Sequence, residues 1–368
     1  MASKFDFDII IAGDGLEPWL LAHLLARRKF DVLVIPPNTR VPESRDLIYM
    51  THAWISALLK EGLSLPPEEG KINSWGYFHR GSGMKGSCKG FTHGFTLERL
   101  WDYWKSTLQF SGKIRLAEDL DVKSLKQDGS GVMVEGLSPT WDFRYRARHM
   151  IIFPSHPVLR TLGEFPLGEK SRLHWAAGDF EDSGEWGAEF RGFPSPEGFV
   201  ETWALPRNSR RYLVPLNFPM EPYTSDTLRQ TLPGITGVEL KDRRQVWESV
   251  KTLGKFPDWA HIRGRLIHLD LENGTYPGAP GNLSAWQGFL SLREAMDKVA
   301  KEKKRGEEIL TLWQNKENLR AKKLRKVWVA YENLGKPLGA LWGLARGWLI
   351  SRKLSLMVKL IDPQEDKK

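Results

Sequence analysis

A strand, a glycine turn, a helix and a second strand follow one another within about thirty residues at the start of this chain. That order leaves few folds open. Asp8 to Ala12 is a short apolar run that enters Gly13-Asp14-Gly15. From Trp19 to Arg28, the residues Leu20, Leu21, Leu24 and Leu25 recur on one helical stripe, with Ala22 and Ala26 beside it. Asp31 to Ile35 reads as a second buried strand, ended by Pro36 and Pro37. Two strands joined through a helix pair in parallel, so the opening is a βαβ unit. A lone Gly-x-Gly carries little weight, but here the strand and helix around it are in place. In such a unit Gly13 allows the tight turn. Gly15 lets backbone N–H groups approach a pyrophosphate at the positive end of the helix.

Further along, 47–62 is expected to be a helix and Trp75 to His79 a strand. Gly81 to Gly94 is rich in glycine and serine, which predicts a mobile connection, with Gly81–Gly90 a flap over a ligand cavity. Thr96 to Arg99 leads a helix to Phe110, and three strands are expected at about 113–126, 131–136 and 141–153. Between Trp175 and Phe218, extended segments separated by Gly and Pro predict an antiparallel sheet. Arg265 to Asp270 is one more strand. A helix then runs from the Gly/Pro-rich 273–281 toward Ala330, and a second helical stretch spans Pro337 to Leu360.

Four further segments, in order, carry a resemblance. Gly13 to Ala22 is similar to the opening of lycopene cyclases. Arg45-Asp46-Leu47-Ile48 before a helix ending Leu58 to Leu63, and Phe95 to Leu100, resemble two segments that each carry an arginine, here Arg45 and Arg99. Leu266 to Asp270 followed by Pro277 to Asn282 resembles a Gly-Asp strand and its Pro-x-x-Gly-x-Gly-x-Asn turn. Together they resemble, over roughly residues 5–300, flavoproteins of the aromatic-hydroxylase, geranylgeranyl-reductase and lycopene-cyclase group. The resemblance implies a Rossmann-like α/β domain that binds FAD, over 1–165 with a return over 255–300, and a second antiparallel substrate sheet over 166–254. Charge and helical periodicity add a C-terminal helical extension of basic helices over 301–368. The resemblance also implies that Gly13, Gly15, Arg45, Arg99, Asp270, Gly281 and Asn282 line the flavin cavity. NAD(P)H is then the candidate electron donor.

The chain departs from the group's pattern at several points. Pro18 replaces the third glycine of the turn, and no acidic residue follows Ile35 to bind the adenosine ribose. Leu269 stands where a glycine precedes the aspartate, and Pro154 to Pro157 replaces a Gly-Ala-Asp-Gly sequence. Each lost hydrogen bond costs about 1 kcal/mol of cofactor affinity. Two functions remain open: a flavin-dependent oxidoreductase acting on a hydrophobic small molecule or lipid, and a scaffold that has lost FAD and serves in binding or assembly.

No catalytic constellation stands out, which suits chemistry carried by a flavin. His52, His79 and His93 could border the cleft, although ordinary polar positions are the commoner use; His156 and His268 read likewise. Ser155 and Ser284 lack partnered His and Asp, and one cysteine with scattered histidines argues against a structural zinc site. Of sixteen tryptophans, Trp175, Trp186 and Trp203 fall in the second sheet, where they either line an apolar pocket or fill a core. Cys88 is the sole cysteine and no secretory signal is visible, so a cytoplasmic location is expected.

Charge adds one more constraint. The net charge is +9, and residues 298–326 alone carry eleven Lys/Arg against four Glu. Beyond them, Leu338, Leu341, Trp342, Ala345, Trp348 and Leu349 form one apolar stripe. These C-terminal helices could lie on an anionic membrane as a peripheral anchor, or pack on the protein's own body with a solvated basic face. Nucleic acid is the less favoured partner. Trp313, Trp328 and Tyr331 fall at spacings that suit a helix packed on the body.

Overall fold

The structure is a computed structural model. It describes residues 5–335 except 39–46, 68–69, 72–73, 80–81, 88–90, 108–111, 166–169, 182–188, 196–197, 206–208, 217–224, 238, 241–242, 255–258 and 271–280, together with positions 352, 356, 360 and 363. Strand β1 (Phe7–Ala12), helix α1 (Leu16–Ala26) and β2 (Val32–Ile35) form the βαβ opening. The chain continues through β3 (Leu47–Thr51), α2 (His52–Lys60), β4 (Gly70–Lys71), β5 (Ser74–His79), β6 (Ser82–Ser87), β7 (Phe91–Thr96) and α3 (Leu97–Thr107). Then come β8 (Ile114–Leu116), β9 (Asp121–Gln127), β10 (Val132–Leu137), β11 (Asp142–Ile152) and α4 (Pro157–Leu162). The next part holds β12 (Lys170–Glu181), β13 (Glu189–Ser195), β14 (Gly198–Leu205), β15 (Ser209–Leu216), α5 (Ser225–Thr236) and β16 (Arg243–Gly254). It closes with β17 (Ala260–Arg263), β18 (Leu266–Leu269) and the helices Gly281–Lys301 and Gly306–Gly335.

The first sheet runs β17-β18-β11-β1-β2-β8, with the β9–β10 hairpin extending from β11. Strands β18, β11, β1, β2 and β8 are mutually parallel. Both faces are covered, which is why Ile9-Ile10-Ile11 and Val32-Leu33-Val34-Ile35 are apolar without a break. Ile9, Ile11, Val32, Val34, Ile151 and Ile267 pack on one face with Leu20, Leu24 and Phe289. Ile10, Leu33, Ile35, Met150 and Ile152 pack on the other with Val122, Val134, Phe143 and Leu159.

The second sheet has the order β16-β12-β15-β14-β13-β5-β6 and is antiparallel except for the β13–β5 pair. Leu228 and Leu232 of α5 cover Phe180, Phe193, Val200, Tyr212 and Val214 on it. Trp203, by contrast, belongs to the main core. It stacks on Tyr49 at 4.4 Å, and its indole N–H donates to Glu201 at 3.3 Å. It is therefore core filling. The side chain of Trp175 and all of Trp186 lie outside the described residues.

Four expectations from the sequence need correction. The stretch 47–62 opens as a strand and is helical only over His52–Lys60, because Ile48, Tyr49 and Met50 are all buried in β3 against β7. The glycine-rich 81–94 is not a free connection: Ser82–Ser87 pairs with β5, and Phe91–Thr96 pairs with β3 and β4. Gly94 lies opposite Tyr49, where a Cβ would come within 2.4 Å of the tyrosine ring. Glycine is required there for close packing. The expected strand 113–126 is split into β8 and β9. The helix from Gly281 breaks after Lys301 and restarts at Gly306 through a single 3-10 turn, Lys303–Arg305. The stretch from Pro337 to Leu360 lies outside the described residues save for three single positions. Among the described residues no helix is long and apolar enough to cross a membrane.

Candidate functional site

Four parallel strands deliver their next residues to one edge of the first sheet. Ala12 leads into Gly13, Ile35 into Pro36, Ile152 into Phe153 and Leu269 into Asp270. The chain leaves β1 for β2 on one side, while β11 lies on the other, so this edge is a topological switch point. Open α/β sheets bind ligands at such points.

The β1–α1 turn is built closely. A Cβ on Gly13 would come within 2.8 Å of Phe153 Cβ and 2.9 Å of Pro18 Cγ, so only glycine fits. Gly15 is the residue before α1 and has φ of 97°, a left-handed backbone that glycine adopts without strain. Among the described residues other than its two chain neighbours, no heavy atom lies within 4 Å of where its Cβ would be. The Gly13 N–H donates to Ile35 O at 3.0 Å, that of Asp14 to Ser155 Oγ at 3.1 Å, and that of Gly15 to the Asp14 carboxylate at 2.8 Å.

Beside the turn lies the segment Phe153 to Leu162. His156 caps α4: its Nδ1 accepts from the Leu159 N–H at 3.4 Å, and burial pushes its imidazole down to about 4. Arg160, buried on α4, stands 3.7 Å from the carboxylate of Asp270, which is buried at the end of β18. The Asp270 N–H donates to Trp259 O at 2.6 Å. Nε of Arg160 is buried without a hydrogen-bond acceptor among the described residues, which is costly for a guanidinium and suits an anionic group nearby.

Of the residues singled out in the sequence, Gly13, Gly15 and Asp270 therefore share one edge, with β11 between β1 and β18. Gly281 and Asn282 are the first two residues of the helix Gly281–Lys301. Arg99 is exposed on α3, and its backbone N–H donates to Thr96 Oγ1 at 3.3 Å. Arg45 lies outside the described residues. His52 and His93 meet edge to face at 5.9 Å, while the side chain of His79 lies outside the described residues. Among the described residues no group of three His, Cys, Asp or Glu could hold a metal ion. Ser155 and Arg160 were not singled out as site residues. Their only sequence signal is their position just after β11, because their contacts to residues 141 and 110 positions away exist only in the folded chain.

No protein-family model matches this chain, and no curated protein sequence matches it. Solved structures do. p-Nitrophenol 4-monooxygenase PnpA from Pseudomonas putida DLL-E4 superposes with a TM-score of 0.71 at 14% identity, over 98% of this chain and 97% of that one. HpxO from Klebsiella pneumoniae, complexed with FAD and uric acid, gives 0.70 at 15% identity over 96% of each chain. This chain shares its fold with these two proteins. The Diels-Alderase PyrE3 gives 0.68 at 15% identity, over 98% of this chain and 81% of that one. At such identities the likeness shows the fold alone, and PyrE3 makes plain that one fold carries more than one reaction.

Proposed function

We propose that this chain binds FAD across the switch-point edge and uses it to oxidise a hydrophobic small molecule or lipid. The observation that carries the reading is the open left-handed Gly15 before α1, on the same sheet edge as the buried Asp270. Support comes from a fold that matches HpxO and PnpA from end to end. The residues present fit the cofactor in outline. Gly13 and Gly15 would admit the pyrophosphate to the N-terminus of α1, and Asp270 would hold the ribityl chain with Arg160 fixing its carboxylate. The resemblance assigns Gly281 and Asn282 to the flavin ring, Arg45 to the cofactor phosphates and Arg99 to the start of the helix beside the flavin. When bound, FAD supplies the electron-transfer chemistry that side chains lack, with NAD(P)H the proposed donor. The protein's own part is to orient the ring and exclude water from it. The test is whether the chain acquires protein-bound flavin absorbance on reconstitution with FAD. If it does not, the scaffold reading takes its place.

A contact with an anionic membrane is part of the same proposal. On the helix Gly306–Gly335, Leu312 and Leu319 are 61% and 53% exposed, and they share one face with Lys316, Lys323 and Lys326 at 100° per residue. The opposite face, with Leu310, Trp313, Ala321 and Leu324, is buried. Apolar side chains interleaved with cations suit a lipid surface better than a nucleic acid.

A further inference from the structure

The backbone amides of the turn from Gly13 to Gly15 are all engaged within the protein: with Ile35 O, Ser155 Oγ and the Asp14 carboxylate. The last of these is an anion 2.8 Å from the N–H of Gly15, the residue before α1. The first helical turn supplies fewer donors than usual, because Pro18 has no N–H. It also holds a second carboxylate, that of Glu17. A pyrophosphate arriving here meets an amide already bonded to a charge of its own sign.

We propose that Asp14 is a built-in competitor for the cofactor's phosphates, its carboxylate filling the anion position in front of α1 until a dinucleotide displaces it. This rests on the reading that the chain binds FAD, and it identifies the residue that sets how tightly. Asp14 thereby makes the site weak for phosphate-bearing ligands without distorting it. Its carboxylate is an acceptor on a short side chain that can turn toward solvent when displaced. Gly13 is wedged against Phe153 and Pro18, so the turn itself stays in place.

Two substitutions separate charge from occupancy. Asp14→Asn keeps an oxygen that can accept from Gly15 but removes the charge, and Asp14→Ala removes both. The dissociation constants of FAD and of riboflavin, which has no phosphate, are measured for the wild-type chain and both variants by fluorescence titration. Circular dichroism checks that each variant is folded. The expected result is FAD affinity at least tenfold higher for Asp14→Ala and intermediate for Asp14→Asn, with riboflavin binding unaltered. Unchanged or weakened FAD binding in a folded Asp14→Asn overturns the role of Asp14 while leaving the cofactor reading intact. An equal gain for riboflavin overturns it too, because phosphate would then not be what is recognised. Failure of all three proteins to bind FAD sinks the cofactor reading itself, and the role with it.

Discussion

At the scale of single residues, burial holds some side chains in one protonation state. His149 and His156 are the clearest. Desolvation holds both imidazoles down to about 4, and for His149 the cations Arg265 and Arg148 add to the effect. Arg265 Nη1 lies 3.2 Å from His149 Nε2, which suits a neutral ring accepting the bond. The folded pKa lies below the unfolded value near 6.5, so the unfolded chain takes up protons first as the pH falls. The stabilisation is complete above about pH 6.5, is lost between there and pH 4, and changes no further below that. Each histidine contributes on the order of 3 kcal/mol across that window. Urea unfolding of the double variant His149→Gln/His156→Asn should show a shallower loss of stability over this range, since Asn can still cap α4. Identical pH profiles for the two proteins would show that these rings do not govern acid sensitivity.

Elements reveal what the sequence could and could not tell. The βαβ opening was legible because strands buried on both faces write themselves as unbroken apolar runs, as in Ile9 to Ala12 and Val32 to Ile35. The strands β6 and β7 were illegible because Gly94 and its neighbours carry a loop composition. The reason for Gly94 is a tyrosine ring far away in sequence. The segment from Ser155 to Arg160 hid for a similar cause: its partners come from β1 and β18, and no local pattern announces them. The same holds for Asn318, which the long helix directs at the edge strand β17. Its Oδ1 accepts from the N–H groups of Trp259 and Ala260 at 3.1 Å each, and its Nδ2 donates to Ala260 O at 3.0 Å. The side chain thus completes the hydrogen bonding of a sheet edge. Asn318→Ala leaves these buried groups unsatisfied and should cost about 3 kcal/mol in urea unfolding; a loss under 1 kcal/mol would mean that water takes over the bonds. On the far side of that helix, Lys316, Lys323 and Lys326 are exposed. Neutralising all three to Gln should weaken sedimentation with phosphatidylserine vesicles at low salt by roughly a hundredfold, at about 1 kcal/mol per cation. Equal sedimentation of both proteins would remove the membrane contact and leave a solvated face.

For the whole molecule, the architecture followed from one unit read at the start, while the cofactor's fate turns on details around it. The fold presents a cradle of glycines, yet it lacks an acid after Ile35, carries Pro18 in the first helical turn and turns an aspartate into the turn. The central claim is that the cradle still takes FAD. Its most direct test is a visible-absorbance titration of the full chain with FAD, set beside Gly15→Val, whose side chain fills the open side of the turn and is strained at a φ of 97°. The wild-type chain should show a saturable perturbation of the flavin bands and gain about 2.7 kcal/mol in thermal stability at a hundredfold excess over its dissociation constant. The Gly15→Val protein, still folded, should show neither. A wild-type chain whose spectrum and melting temperature are indifferent to excess FAD would contradict the account.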